Sequence, residues 1–407
     1  MPHQNDEMSY LIQPVFKSQS ITYLLSQLFA TMAYYGFRGT IVVHLIDGGF
    51  GFSQDEVLQV YGFCSLAICF ARFMGGVIGD LLLKSKWATV VGAFTQGIGA
   101  LLLCFHSVPL IFIGVLLILI GNGLYWPNLI AGLGRIYHHE PRSLDSIFTL
   151  VYLVINLGAV LSVALLSLEF GKEVIFAICG VWFFVSGVFS LISKKIVVGE
   201  PDNKKGIGSG RQVLLVISAI VVATGFWMGY DFFINLQNYF MYDLEGIESK
   251  FFDLEIYQFG QWTGILFLII FFICWLFLSP RRWVKVVVGG LLTIVAFTQF
   301  AFAFYVDNQV VVVLMLSSTI LLAIAEALLI PTFFSLVSRW SNPKYLATML
   351  GVYTLPMVFA IGLQRIPIDR EEFGLPIFVG LIVLILLGVT TKVVYGVIVR
   401  NDNKIDV

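Results

Sequence analysis

Apolar stretches of about twenty residues recur along the chain, separated by short polar connections. A helix of roughly 20 residues rises about 30 Å, the thickness of a bilayer's hydrocarbon layer. Twelve such helices are predicted, over 20–46, 54–82, 87–105, 108–135, 143–168, 173–193, 212–241, 256–279, 283–305, 309–339, 344–365 and 375–399. Connections as short as Phe105 to Pro109 force neighbouring helices to run antiparallel.

The polar positions inside these stretches fall on faces. Gln27, Thr31, Tyr34 and Arg38 are spaced four, three and four apart, which puts them on one side of the first helix. Trp227, Asp231, Asn235, Asn238 and Tyr242 form a similar stripe on the seventh. Lipid offers such groups no partners, so the stripes either line a cavity or join helices by hydrogen bonds. Four ionisable residues, Arg38, Arg72, Asp231 and Glu326, lie at membrane depth. Each costs at least ~2.5–3.5 kcal/mol there, which makes each a candidate for a functional role.

Basic residues set the direction of insertion. With the N-terminus inside, Lys172, Lys250, Arg365 and Arg370 fall on the outer side, while nearly all other lysines and arginines outside the apolar stretches fall on the inner side. That is the positive-inside pattern, and one missed helix would scramble it. The segment 196–211 contains Gly199, Pro201, Gly206, Gly208 and Gly210 and reads as a flexible cytoplasmic linker. The expected architecture is an all-α membrane protein of twelve helices. Its two six-helix bundles span 1–195 and 212–407, and both termini are cytoplasmic. Met1 to Ser20 lacks the basic region and cleavage site of a signal peptide, so the first helix is expected to be retained.

Composition agrees with this pattern. The 407 residues are 58% hydrophobic and only 12% charged, against about 25% charged in soluble domains. No basic run suits nucleic acid. The five cysteines (Cys64, Cys69, Cys104, Cys179, Cys274) have no zinc-site spacing and read as inert packing residues. His44, His106, His138 and His139 sit at segment ends or in loops and are expected to be solvated. No nucleotide-binding loop, zinc-protease helix or serine elbow occurs. No enzyme, cofactor or metal site is expected.

An internal repeat is also visible. GNGLYWPNLIAGLGR (121–135) aligns without gaps with AEALLIPTFFSLVSR (325–339). Pro127 falls on Pro331, Arg135 on Arg339 and Asn122 on Glu326. Paired six-helix halves with a site near mid-membrane are a transporter arrangement.

Several motifs go further. GGVIGD with Lys84 and Lys86 (75–86) resembles the loop between the second and third helices of the major facilitator superfamily. YYGFRG (34–39), GNGLYWPN (121–128), INLGA (155–159), FWMGYD (226–231) and AEALLIP (325–331) resemble its proton-dependent oligopeptide transporters. The resemblance implies alternating-access transport of small peptides or related amine-bearing solutes; the short loops suggest a bacterial inner membrane, and a monomer is expected. It implies a cavity lined by Gln27, Thr31, Tyr34, Tyr35, Asn156, Trp227, Asn235 and Glu326. Glu326 would take the substrate amine, and Asn156 would hold peptide backbone or pack helices. Arg38 and Asp231 would form an extracellular gate, and Asp80, Lys84 and Lys86 a cytoplasmic one.

The departures are specific. Gln27, Ala30 and Thr31 stand where the family has two glutamates and an arginine, and Trp126 stands where it has a lysine. These groups serve the family's proton coupling and hold the substrate's carboxylate. Their loss leaves open proton coupling through Glu326 or Asp231, proton-independent uniport of a non-peptide solute, and a non-transporting ligand sensor. Arg72 either supplies a substitute cation or snorkels and pairs with Asp80.

Overall fold

In the computed structural model the described residues are 17–138, 140–168, 170–194, 216–227, 229–230, 233, 250–251, 254–277, 282–302, 308–355 and 358. Helix dominates them. In chain order the helices are α1 Ser18–Asp47, α2 Gln54–Ile78, α3 Ser85–Leu102, α4 Val108–Ile136, α5 Pro141–Leu166 and α6 Lys172–Ile192. Then come α7 Val216–Trp227, α8 Ile256–Phe277, α9 Arg282–Phe302, α10 Asn308–Trp340 and α11 Leu346–Val352. A two-residue antiparallel ladder, β1 Lys250–Phe251 with β2 Leu254–Glu255, precedes α8. The predicted helix 375–399 and the linker 196–211 lie outside the described residues.

Five of the described helical segments are long and apolar enough to cross a membrane: Gln54–Leu83, Val108–Ile136, Ser143–Leu166, Lys172–Ile192 and Val310–Trp340. The described residues group into two compact units. One takes those within Met1–Lys204 and Ser341–Leu355, the other those within Lys205–Trp340 and Pro356–Val407. By sequence, Ser341–Leu355 belongs to the second bundle. It packs in the first unit, and α11 lies against α2 and α4.

Lipid gives helices no hydrophobic reason to associate, so close packing and internal hydrogen bonds must hold the first unit together. In α3 and α4, small residues allow the close packing. Gly92 faces Gly121 and Gly99 faces Gly114. A Cβ at Gly121 would lie 2.6 Å from the Gly92 carbonyl, and one at Gly99 2.6 Å from that of Gly114. Each helix carries its two glycines seven residues apart, two turns along one face. Buried hydroxyls supply the hydrogen bonds. Ser26 Oγ of α1 meets Tyr125 Oη of α4 at 2.8 Å and, in α6, Ser190 Oγ at 2.8 Å and Ser186 Oγ at 3.0 Å. Asn128 of α4 donates to the carbonyl of Gly75 in α2 at 2.8 Å and to its own helix at Leu124, 2.9 Å.

Past Ile78, α2 widens into a five-residue π turn, Gly79–Leu83, which carries Asp80. Such turns recur at functional sites because they re-aim side chains. The turn ends at Lys84, whose φ of 65° is the one positive value among described non-glycine residues.

Gly121→Ala forces α3 and α4 apart at a backbone contact. We expect a loss of about 1–3 kcal/mol, read as a lowered thermal midpoint of the detergent-purified protein. An unchanged midpoint would mean that this helix pair tolerates a wider spacing.

Candidate functional site

A buried polar cluster sits at the C-terminal end of α2. Asp80 Oδ1 accepts from Arg135 Nη2 at 2.6 Å, with the Asp80 side chain 0% and the Arg135 side chain 7% exposed. Asp80 Oδ2 accepts from Thr348 twice, from the backbone N–H at 2.7 Å and from Oγ1 at 2.9 Å. Thr348 is in the first turn of α11, where backbone N–H groups lack helical partners and favour an anion. Arg135 spreads its remaining donors over the Pro343 carbonyl, 2.8 Å from Nε, and Ser85 Oγ. One carboxylate and one guanidinium thus tie together α2, α3, α4 and the start of α11.

Glycine makes this approach possible. A Cβ on Gly351 would lie 2.7 Å from the Arg72 carbonyl, and one on Gly76 would strike the Ala347 backbone. The helices touch main chain to main chain, so the joint is rigid while made and has few side chains to rearrange when broken.

The two lysines expected beside Asp80 have other partners or none. Lys86 Nζ donates to the Ser193 carbonyl at 2.5 Å and so caps the end of α6. Lys84 is exposed at the turn. The acid's cation is Arg135.

Farther out, the α1 stripe is a face as its spacing predicts. Gln27 Nε2 donates to Thr31 Oγ1 at 2.9 Å, and both side chains are buried. Among the described residues Gln27 Oε1 has no hydrogen-bond partner. Tyr34 and Tyr35 meet edge to face, 6.0 Å between centroids. Arg38 is held by Tyr61 of α2, whose hydroxyl accepts from Nε at 2.8 Å and Nη2 at 2.6 Å. The guanidinium also lies 5.9 Å from the Tyr34 ring, 6.0 Å from Tyr35 and 5.6 Å from Tyr61, within cation–π range. Tyr34, Arg38, Tyr61 and Ser65 line a cleft with apolar residues of α1, α2 and α4. Asn156 of α5 is half-buried and donates to the Tyr152 carbonyl of its own helix at 2.9 Å.

Arg72 does not pair with Asp80. Its Nε donates to Asn122 Oδ1 at 3.0 Å, and its guanidinium lies 4.7 Å from the Trp126 ring centroid.

In the second unit, Trp227 of α7 packs edge-on against Tyr230, 5.6 Å between centroids. Glu326 is half-buried on α10, between the buried Ala325 and Ala327. Asp231 and Asn235 lie outside the described residues. One expectation needs correcting: His44 is 1% exposed rather than solvated, held edge-on between Phe50 and Phe176 with centroids 5.3 and 5.1 Å away.

Sequence reading missed Arg135, Thr348, Tyr61, Asn122 and Trp126 as site residues. Two signals pointed to Arg135 and Tyr61. Arg135 was one end of the internal repeat. Tyr61, Ser65, Cys69, Arg72, Gly76 and Asp80 follow steps of four, four, three, four and four, one continuous face of α2.

Comparisons with known proteins bear on the family and the fold. A family model described as Major Facilitator Superfamily matches residues 23–364. Dipeptide and tripeptide permease B of Salmonella typhimurium is 27% identical over 246 residues, 58% of this chain and 50% of the relative. The Yersinia enterocolitica protein of that name is 31% identical over 221 residues, 52% of this chain and 44% of the relative. The chain's matches thus span about half the length of these curated relatives, 50% and 44%. Among solved structures, a POT family transporter in complex with 5-aminolevulinic acid aligns with a TM-score of 0.68 at 17% identity, covering 92% of this chain and 96% of that one. A peptide transporter POT in complex with sulfate aligns at 0.65 and 17%, covering 93% and 95%. The resemblance to oligopeptide transporters is borne out, and the fold is the all-helical one of these neighbours.

Asp80→Ala leaves the buried Arg135 charge unpaired, which should cost about 3–5 kcal/mol. The double variant Asp80→Ala with Arg135→Ala should recover part of that loss in thermal melts. Additive losses would mean the two side chains do not cooperate.

Proposed function

The chain belongs to the major facilitator superfamily, and we propose that it is a secondary transporter that moves small peptides or related amine-bearing solutes by alternating access. In this reading twelve helices form two bundles, 1–195 and 212–407, joined by the 196–211 linker, with both termini cytoplasmic. The protein works as a monomer in a bacterial inner membrane.

The observation that carries the reading is the Asp80 joint. A carboxylate with no exposed side-chain surface takes Arg135 and the first turn of α11. An anchoring segment of only Ser341–Leu355 groups with the first unit, while residues up to Trp340 group with the second. A desolvated ion pair is stable while dry and loses its advantage once water reaches it. A cytoplasmic gate needs this behaviour. Asp80 and Arg135 act as its latch, Lys84 shapes the turn that presents Asp80, and Lys86 steadies α6.

On the other side, Arg38 and Asp231 form the extracellular gate. The support is the position of Arg38, exposed on the outer part of α1 and held by one neutral hydroxyl, Tyr61. Gln27, Thr31, Tyr34, Tyr35, Asn156, Trp227, Asn235 and Glu326 line the path between the gates, and Glu326 takes the amine. Gln27 and Thr31 hydrogen-bond each other without charge. Any proton coupling therefore runs through Glu326 or Asp231 and not through α1.

The test is uptake of labelled dipeptides into proteoliposomes, with and without an inward proton gradient. Uptake accelerated by the gradient is expected, and Glu326→Gln should lower it by about tenfold or more, the cost of one charge-assisted contact. Gradient-independent uptake would make the protein a uniporter. Binding without uptake would make it a sensor.

A further inference from the structure

Arg72 is a cation at membrane depth, and no carboxylate among the described residues lies within ion-pair distance of it. Asp80, eight residues on, is taken by Arg135. A guanidinium so placed is retained only where a dipole, water or anion compensates it. Asn122 supplies one neutral oxygen to Nε. Neither Nη nitrogen has a hydrogen-bond partner among the described residues, although together they hold four of the five donors.

The remainder of the environment fixes the guanidinium in place. Asn122 is 5% exposed, and its amide donates to Gln96 Oε1 at 3.3 Å. Gln96 is fully buried and donates to the Gly92 carbonyl of its own helix at 3.2 Å. This chain of amides fixes which way Asn122 points, so its oxygen must face Arg72. Trp126, one helical turn beyond Asn122 on α4, lies 4.7 Å from the guanidinium. Arg72 lies three turns along α2 from Tyr61, on the same helical face as the tyrosine that holds Arg38 of the α1 stripe. The side chain is half-buried. Held at Nε and against an aromatic ring, its terminal nitrogens form a planar fork that fits a carboxylate.

We propose that Arg72 is a carboxylate-binding residue: its Nη fork takes the carboxylate of the transported solute, with Asn122 and Trp126 as the positioning residues that aim it. The proposal rests on the transport reading above and assigns that site its cationic pole. It also changes the expected substrate: a zwitterion with an acid end fits this chain, and a simple cationic amine does not.

The experiment is calorimetric titration of the purified full chain with Ala-Ala and with its C-terminal amide, which lacks the carboxylate. Wild-type protein is expected to favour the acid by about tenfold or more, and Arg72→Gln to bind both forms alike. Discrimination that survives in Arg72→Gln, or is absent from wild type, overturns the proposal. If Arg72→Gln does not fold, Arg72→Lys decides. It keeps the charge and loses the fork, so affinity for Ala-Ala should fall about fivefold or more with the amide unaffected. Equal affinities to wild type overturn the assignment. If wild type binds neither peptide, the peptide reading fails and Arg72 is judged on propionate against propionamide. Preference for propionate that Arg72→Gln removes supports the carboxylate site, and no preference overturns it.

Discussion

A bilayer cannot hydrogen-bond, and that constraint organises everything described in the first unit. Each polar group there must find a partner in the protein, in water or in a ligand. Ser26, Tyr125, Ser186 and Ser190 satisfy one another and join α1, α4 and α6. Glycines let α3 and α4 approach closely enough for dispersion to act.

The charged groups are satisfied differently. Asp80 and Arg135 pair directly, and Thr348 and the Pro343 carbonyl at the start of α11 satisfy further atoms of both. Arg38 leans on tyrosines, and Arg72 on an asparagine and a tryptophan. Neutral partners reduce the cost of a buried cation without cancelling its charge. The described part of the molecule therefore contains one buried ion pair, Asp80 with Arg135, and two incompletely compensated cations along the α1–α2 face.

Much of this was legible in the sequence. The apolar lengths give the described helices, and the step pattern of Gln27 to Arg38 gives the α1 face. The resemblance of 75–86 to a known loop picked out Asp80. Its partners were harder to see. Arg135 reads as one more inward-facing positive charge until its acid is known. Thr348 binds Asp80 partly through a backbone N–H, which no residue type advertises. The α2 stripe from Tyr61 to Asp80 was available by counting, but tyrosine, serine and cysteine look apolar enough to hide it. The placement of Ser341–Leu355 depends on the main-chain approach at Gly76 and Gly351, and a glycine in an apolar helix does not announce what it touches. His44 was misjudged because closeness to a helix end was taken for exposure, when two aromatic rings cover it.

The central claim is that the Asp80 joint opens and closes during transport. Spin labels replacing the exposed Lys84 and Tyr345 flank this joint, and electron–electron resonance distances between them in nanodiscs test the claim directly. The account predicts a short and a long population, with the long one growing when Asp80 is changed to Asn and when dipeptide is added. A single short distance, indifferent to both, would contradict it.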